Sequence, residues 1–226
     1  MDIKELHSFD VSTQEALEIQ RRLREMIVVK SPRAKFTLVA GADVSFPGAI
    51  RGRGTNRARA GVVVLDAKTL ETVEESVAEV ECRFPYVPGF LTFREGPALL
   101  EVFRKLKHTP DLVVFDAQGI AHPRGLGLAS HLGLFLDLPS IGCAKSRLVG
   151  EFADPGPNKG DSSTLYFEGR EVGRVVRTKP GVKPVFVSPG HRMDQETAVR
   201  VILDLVTHFR LPEPTRRAHN LVSGGK

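Results

Sequence analysis

Three carboxylates in this chain stand where a carboxylate could do chemistry. Asp43 falls late in a strand-like run that begins near Phe36. Asp116 follows the continuous apolar run Leu112-Val113-Val114-Phe115, so its side chain emerges where that strand leaves the core. Ligand sites in α/β sheets gather at such strand ends. If the two strands are parallel neighbours, their carboxylates converge and repel each other unless a proton or a cation relieves the charge. An all-oxygen donor set favours Mg²⁺, with Mn²⁺ as a substitute, over zinc. Glu95, just before an expected helix, could complete the set. Such a cluster can hold two metals about 4 Å apart, which activate a water and stabilise the leaving oxygen of a phosphodiester. Each aspartate alone reads equally well as a turn former or a helix cap. Only their pairing on adjacent strands turns the reading toward a metal site.

Other residues carry two readings each. Tyr86 lies between Pro85 and Pro88, with Val87 and Gly89 completing a stiff loop. It is either a core tyrosine in a turn or a ring presented on a rigid support. Among the histidines, His131 reads as structural because its surroundings look like a packed helix. His122 and His191 could brace loops as well as act. His219 is the strongest functional candidate, since the helix around it has little need of it. Arg51, Arg53, Arg57 and Arg59 crowd one segment. They form either a solvated face or a phosphate grip that reads no base.

The elements that must position these groups follow from patterning. Ser12-Thr13-Gln14-Glu15 fits a capping box. Ala16, Ile19, Leu23, Met26 and Ile27 follow it at helical spacing. Three strands are expected over Phe36–Ser45, Arg59–Asp66 and Thr69–Val80, joined as an antiparallel meander. A helix is expected to start near Pro97, with Leu99, Val102, Phe103 and Leu106 on its apolar face. The run 112–115 is a strand buried on both faces. A helix over Leu126–Leu136 and a strand over Ser140–Ala144 come next. Thr164–Phe167 and Val172–Arg177 flank Glu168-Gly169-Arg170-Glu171 as a second hairpin, and Pro184–Val187 is another strand. Asp194 caps a helix carrying Ala198, Val201, Ile202, Leu205 and Phe209. Pro212 to Lys226 holds a short terminal helix. Three antiparallel strands, then helix, strand, helix and strand, is an order compatible with an α/β fold of RNase H-like type. Its mixed central sheet would be flanked by helices, with the first strand beside the fourth. No repeat or linker divides residues 1–226, so a single domain is expected.

Composition narrows the class. The 226 residues are 41% hydrophobic and 26% charged, which suits a globular chain with a real core. The net charge of +5 favours a polyanionic partner, because lysines and arginines on phosphates release counterions. Cys82 and Cys143 are the only cysteines, which argues against a zinc cage or a disulfide scaffold. No apolar run has the length of a membrane span, and the first ten residues are too polar for a signal peptide. The expected setting is the cytoplasm, without a membrane partner. No glycine-rich phosphate loop of the dinucleotide-binding kind is found.

Longer strings go further. Val39-Ala40-Gly41-Ala42-Asp43-Val44-Ser45-Phe46 resembles the first motif of the endonuclease V family. Pro85-Tyr86-Val87-Pro88-Gly89-Phe90-Leu91-Thr92-Phe93-Arg94-Glu95 is similar to its second, and Asp116-Ala117-Gln118-Gly119-Ile120-Ala121-His122-Pro123-Arg124 to its third. Ala129 to Gly133, Gly142 to Ser146, Val187 to His191, and Pro214-Thr215-Arg216-Arg217-Ala218-His219 resemble further blocks in the same order. The resemblance implies an RNase H-like fold with Asp43, Glu95 and Asp116 as Mg²⁺ ligands. It implies Lys145 and His219 as support for the scissile phosphate and the water. The loop Pro85, Tyr86, Val87 and Pro88 would be a wedge that fills the gap left by an extruded base. Gly89, Leu91, Ala117, Gly119 and His122 would line the base pocket. The implied reaction is hydrolysis of the second phosphodiester 3′ to deoxyinosine in DNA, leaving a 3′-hydroxyl and a 5′-phosphate. The alternative is an endoribonuclease acting on inosine in RNA with the same metal site. A monomer is expected. Two positions depart from the family pattern: Val87 stands for isoleucine and Ala117 for glycine. The Ala117 methyl would tighten the base pocket or limit the approach of its backbone.

Overall fold

A computed structural model describes residues 1–31, 35–48 and 56–224. The capping box forms: Ser12 Oγ accepts from the Glu15 amide, and the Glu15 carboxylate accepts from the Ser12 amide at 2.8 Å. It starts helix α1 (Thr13–Arg24), which buries Ala16, Gln20 and Leu23. The helix stops at Arg24, so Met26 and Ile27 fall beyond the expected stripe, and Met26 is exposed.

The strands are β1 (Leu38–Ser45), β2 (Arg57–Asp66), β3 (Thr72–Glu81), β4 (Leu112–Phe115), β5 (Ser140–Ala144), β6 (Ser162–Phe167), β7 (Arg170–Val176) and β8 (Val185–Pro189). They form one sheet in the order β3-β2-β1-β4-β5-β8-β7-β6. β1, β4 and β5 run parallel, and the remaining pairs are antiparallel. This is the RNase H-like arrangement, with the first strand beside the fourth. β3 begins at Thr72 rather than Thr69. The Asp66 carboxylate accepts from the Lys68 and Thr69 amides at 2.9 Å each, and Leu70 sits at φ +59°, so the turn uses these residues. The β6–β7 hairpin turns on Glu168 (φ +51°) and Gly169 (φ +74°), the two left-handed residues of a tight hairpin.

Helices cover both faces. On one face α2 (Leu91–Lys105) and α3 (Leu128–Leu136) pack Leu99, Val102, Phe103, Leu132 and Phe135 onto Ala40, Val62, Val64, Val113 and Phe115. On the other, α4 (Gln195–Asp204) packs Ala198 and Ile202 onto Val39, Val114 and Ile141. Helix α5 (Glu213–Ser223) sets Ala218 against Val63 and Leu65. The strands alternate between the faces, as a doubly covered sheet requires. Asp194 caps α4 by accepting from the Thr197 amide, but the helix ends before Phe209, which lies exposed beneath the Arg216 guanidinium. Among the described residues no helix is long and apolar enough to cross a membrane.

The start of α2 differs most from expectation. It begins at Leu91, and Pro97 lies inside it. Proline there forfeits one helix bond to the Phe93 carbonyl. The packing that compensates is aromatic: Phe93 is buried among Phe84, Phe90 and His131, with ring centroids 5.4, 6.1 and 5.4 Å away. Phe90 makes no side-chain cap bond, so no capping signal marks the true start. Glu95 therefore rides on the helix rather than preceding it.

Candidate metal centre and base cleft

The parallel trio delivers the chemistry. Ala42 pairs with Phe115, so Asp43 and Asp116 follow at matching positions on adjacent strands. Lys145 follows the last residue of β5, at the same sheet end, and its ammonium contacts the Asp116 carboxylate. Asp43 shares a sheet face with Gly41, and over that face lies α5. A Cβ at Gly41 would sit 2.0 Å from the Pro214 carbonyl carbon, so only glycine lets the helix approach this closely. That approach brings His219 Nδ1 to 2.7 Å from Asp43 Oδ2. Glu213 anchors the start of the same helix by accepting from Thr207, Arg216 and Arg217 at 2.8, 2.7 and 3.1 Å.

Ligand atoms of Asp43, Asp116 and His219 lie within 4.8 Å of one another. Glu95 stands outside that tightest group but within its field. Burial, then the charges of Asp43 and Asp116, push the Glu95 carboxyl up to about 8. Burial and the Asp116 charge likewise raise Asp43, against the His219 hydrogen bond that lowers it. Negative charge is thus concentrated beyond what the nearby cations offset, which is the condition a divalent cation relieves. Oxygen donors with one imidazole fit a hard ion of the Mg²⁺ or Mn²⁺ kind.

Beside this cluster opens a cleft of about 390 Å³, shared through Asp116 and Lys145. Its walls include Tyr86, Val87, Pro88, Gly89, Leu91, Ala117 and His122. Tyr86 is 63% exposed, so it is not a core tyrosine. Gly119 is not on the wall. Its amide donates to Ser188 Oγ at 2.7 Å, and a Cβ there would strike the Pro189 carbonyl, so it packs behind the cleft. His122 has both ring nitrogens engaged. Nδ1 accepts from the Arg124 amide at 3.2 Å, and Nε2 donates to the Gly89 carbonyl at 3.0 Å. Burial and the neighbouring Arg124 charge push it down to about 4, so the ring is neutral.

The chain matches the endonuclease V family model over residues 21–220. It is 50% identical over 222 residues to endonuclease V of Kosmotoga olearia, an alignment spanning 98% of this chain and 95% of that protein. The chain belongs to the endonuclease V family. The crystal structure of the Streptomyces avermitilis endonuclease V superposes with a TM-score of 0.89 at 42% identity, covering 96% of this chain and 94% of that one. An endonuclease V of Ciona intestinalis, solved with a 23mer DNA containing an inosine followed by a ribo-adenosine, superposes at 0.81 with 27% identity, covering 95% and 98%. Members of the endonuclease V family are metal-dependent nucleases, and the carboxylate cluster is where this member has the residues for a metal.

The remaining candidates separate clearly. His131 is buried, with Nε2 2.7 Å from His7 Nε2, and His191 Nδ1 accepts from the Val28 amide at 3.4 Å. Both brace the fold. Arg57 and Arg59 pair with Glu79 on β3 at 2.9 and 3.8 Å. Arg51 and Arg53 lie outside the described residues. Patterning missed Gln118, Arg147 and Leu148 on the cleft wall. Only the exposed, apolar character of Leu148 beside a basic residue could have drawn attention to that loop.

Proposed function

We propose that this member of the family is a single-domain, monomeric DNA repair nuclease that cuts the second phosphodiester 3′ to deoxyinosine and leaves a 3′-hydroxyl and a 5′-phosphate. The observation that carries the reading is the shared wall: Asp116 belongs both to the carboxylate cluster and to the cleft beside Tyr86. A nuclease that selects a damaged base needs a pocket for that base next to the reacting phosphate. The inosine-containing DNA held by the Ciona relative supports the same substrate class.

Asp43, Glu95 and Asp116 would hold Mg²⁺, with Mn²⁺ as substitute. A bound ion of this kind lowers the pKa of water and stabilises developing charge on phosphate oxygens. Lys145 would neutralise charge growing on the phosphoryl oxygens. His219 donates Nδ1–H to Asp43, which leaves Nε2 as the nitrogen that takes a proton from the attacking water. Pro85, Tyr86, Val87 and Pro88 would fill the stack after extrusion. Gly89, Leu91, Ala117 and His122 would surround the extruded base.

The ribo-adenosine beside inosine in the Ciona complexes favours one second reading, an inosine-directed endoribonuclease with the same site. End-labelled DNA and RNA strands of one sequence, each with a single inosine, separate the two. Incubated with and without Mg²⁺, the DNA strand is expected to be cut between the 3′ neighbour of the lesion and the nucleotide that follows it. Cleavage of RNA alone, or binding without a metal-dependent nick, would overturn the DNA assignment.

A further inference from the structure

The carbonyl of Gly89 closes the Tyr86 loop, and three side chains converge on it. Gln20 Nε2 from α1 and His122 Nε2 each donate to it at 3.0 Å, and Arg124 Nη2 donates as well. Arg124 Nε also donates to Gln20 Oε1, so the two side chains brace each other. The guanidinium lies 4.3 Å from the centroid of Phe90, the next residue along the loop. Gly89 is left-handed at φ +81°, and a Cβ on it would come within 2.7 Å of Arg124 Nη2. At the other end of the loop, Arg94 Nη1 donates to the Phe84 carbonyl at 2.9 Å. Between these ties the Tyr86 ring itself is exposed.

Gln20 is the unexpected member. It sits in the middle of an amphipathic helix, 69 residues from Gly89, yet it is buried. Burying an amide side chain is unfavourable unless it is hydrogen-bonded. Here each polar atom of the Gln20 side chain has a partner: Nε2 donates to the Gly89 carbonyl and, at 3.5 Å, to the Leu126 carbonyl, and Oε1 accepts from Arg124, the residue that grips the loop. A helix that needed only to pack would carry leucine at this position. His122 has both nitrogens engaged, Nε2 with the Gly89 carbonyl and Nδ1 with the Arg124 amide, and so has none free to read a base edge.

We propose that Gln20, His122 and Arg124 form a clamp on the Gly89 carbonyl that holds the Tyr86 loop in its inserting position. They are positioning residues for lesion recognition in duplex DNA. Tyr86 is 63% exposed, and the side-chain hydrogen bonds that hold its loop fall at the two ends, on the Phe84 and Gly89 carbonyls. Holding the loop before binding removes ordering entropy from insertion, which should matter only where a stack must be entered. This inference rests on the wedge reading above.

The test separates the two. The chain has no tryptophan, so Tyr86→Trp supplies a single fluorescent reporter on the loop. In that background, Gln20→Leu and Arg124→Lys are expected to enlarge the fast component of the anisotropy decay in the absence of nucleic acid. In the Tyr86 protein, the same substitutions should slow single-turnover cleavage of duplex inosine DNA by about tenfold, the worth of one net hydrogen bond. Cleavage of the single strand should change by less than about twofold, because no stack is entered there. A general loss of structure would lower both rates together. An unchanged anisotropy decay in both variants overturns the clamp. Retained duplex cleavage in both overturns its role in recognition. If Tyr86→Ala fails to separate duplex from single strand while the reporter still loosens, the wedge reading falls and the clamp stands.

Discussion

Replacing Gly41 by alanine tests how the site is assembled, because it touches no reacting group. The new methyl would lie 2.0 Å from the Pro214 carbonyl carbon, 2.1 Å from its oxygen and 2.5 Å from the Thr215 nitrogen. These are backbone atoms, so no rotamer can relieve the overlap. Restoring a normal contact of roughly 3.5 Å requires the start of α5 to retreat by about 1.5 Å. The His219 hydrogen bond to Asp43, now 2.7 Å, would stretch beyond hydrogen-bond reach. Misplacement on this scale costs about a hundredfold in turnover. Overpacking of this kind costs about 1–3 kcal/mol of stability, or roughly 2–12 °C in melting temperature for a chain of this size. The assay is single-turnover cleavage of inosine DNA beside a thermal melt. Gly61→Ala serves as the comparison: its methyl would meet side-chain rather than backbone atoms, Val222 at 2.6 Å and Leu221 at 3.3 Å, so a smaller retreat of α5 and a smaller effect are expected. A Gly41→Ala protein that melts lower yet turns over within about threefold of the parent would refute the argument that α5 seating positions His219.

Other expectations are more direct. Asp43→Asn and Asp116→Asn should abolish Mg²⁺-dependent cleavage while leaving the melt intact; near-normal turnover in either removes the metal assignment. Lys145→Ala and His219→Ala should lower turnover without loss of metal binding, and calorimetric loss of the ion in His219→Ala would make the imidazole a ligand instead. Tyr86→Ala should harm duplex substrate far more than single strand, and equal losses on both would deny the wedge. Glu213 supplies a pH dependence. Burial pushes its carboxyl up, but hydrogen bonds from Arg216, Thr207 and Arg217 outweigh burial and hold it at about 2 against an ordinary 4.5. The carboxyl is nearly fully buried by its own helix and loop, so the shift corresponds to about 3 kcal/mol. That stabilisation is complete above pH 4.5 and is lost as pH falls toward 2. Denaturant titrations across this window should show the slope in the parent and not in Glu213→Gln.

Much of the fold was legible because its signals are local. The capping box at Ser12 and Glu15 lies within four residues. The apolar run of β4 states its own double burial. Asp194 marks the start of α4, and the Glu168-Gly169 turn announces its hairpin. The order of these elements was compatible with β1 beside β4, the pairing that puts the two aspartates at one sheet end. The collinear strings named the family. Tertiary structure decided what depends on residues far apart in the chain. Pro97 could enter α2 because the Phe93 cluster outweighs one lost helix bond, and no cap at Phe90 reveals this. His219 reaches Asp43 across 176 residues because Gly41 leaves room for α5. Gly119 left the cleft wall because its amide is taken by Ser188. Gln20 became a partner of the Tyr86 loop because a buried amide must find partners, and Gly89 and Arg124 are among them, with Leu126. Patterning reports which face of an element is apolar. It cannot report which distant backbone atom will meet a polar side chain on that face, since only the folded packing brings the two within hydrogen-bond reach.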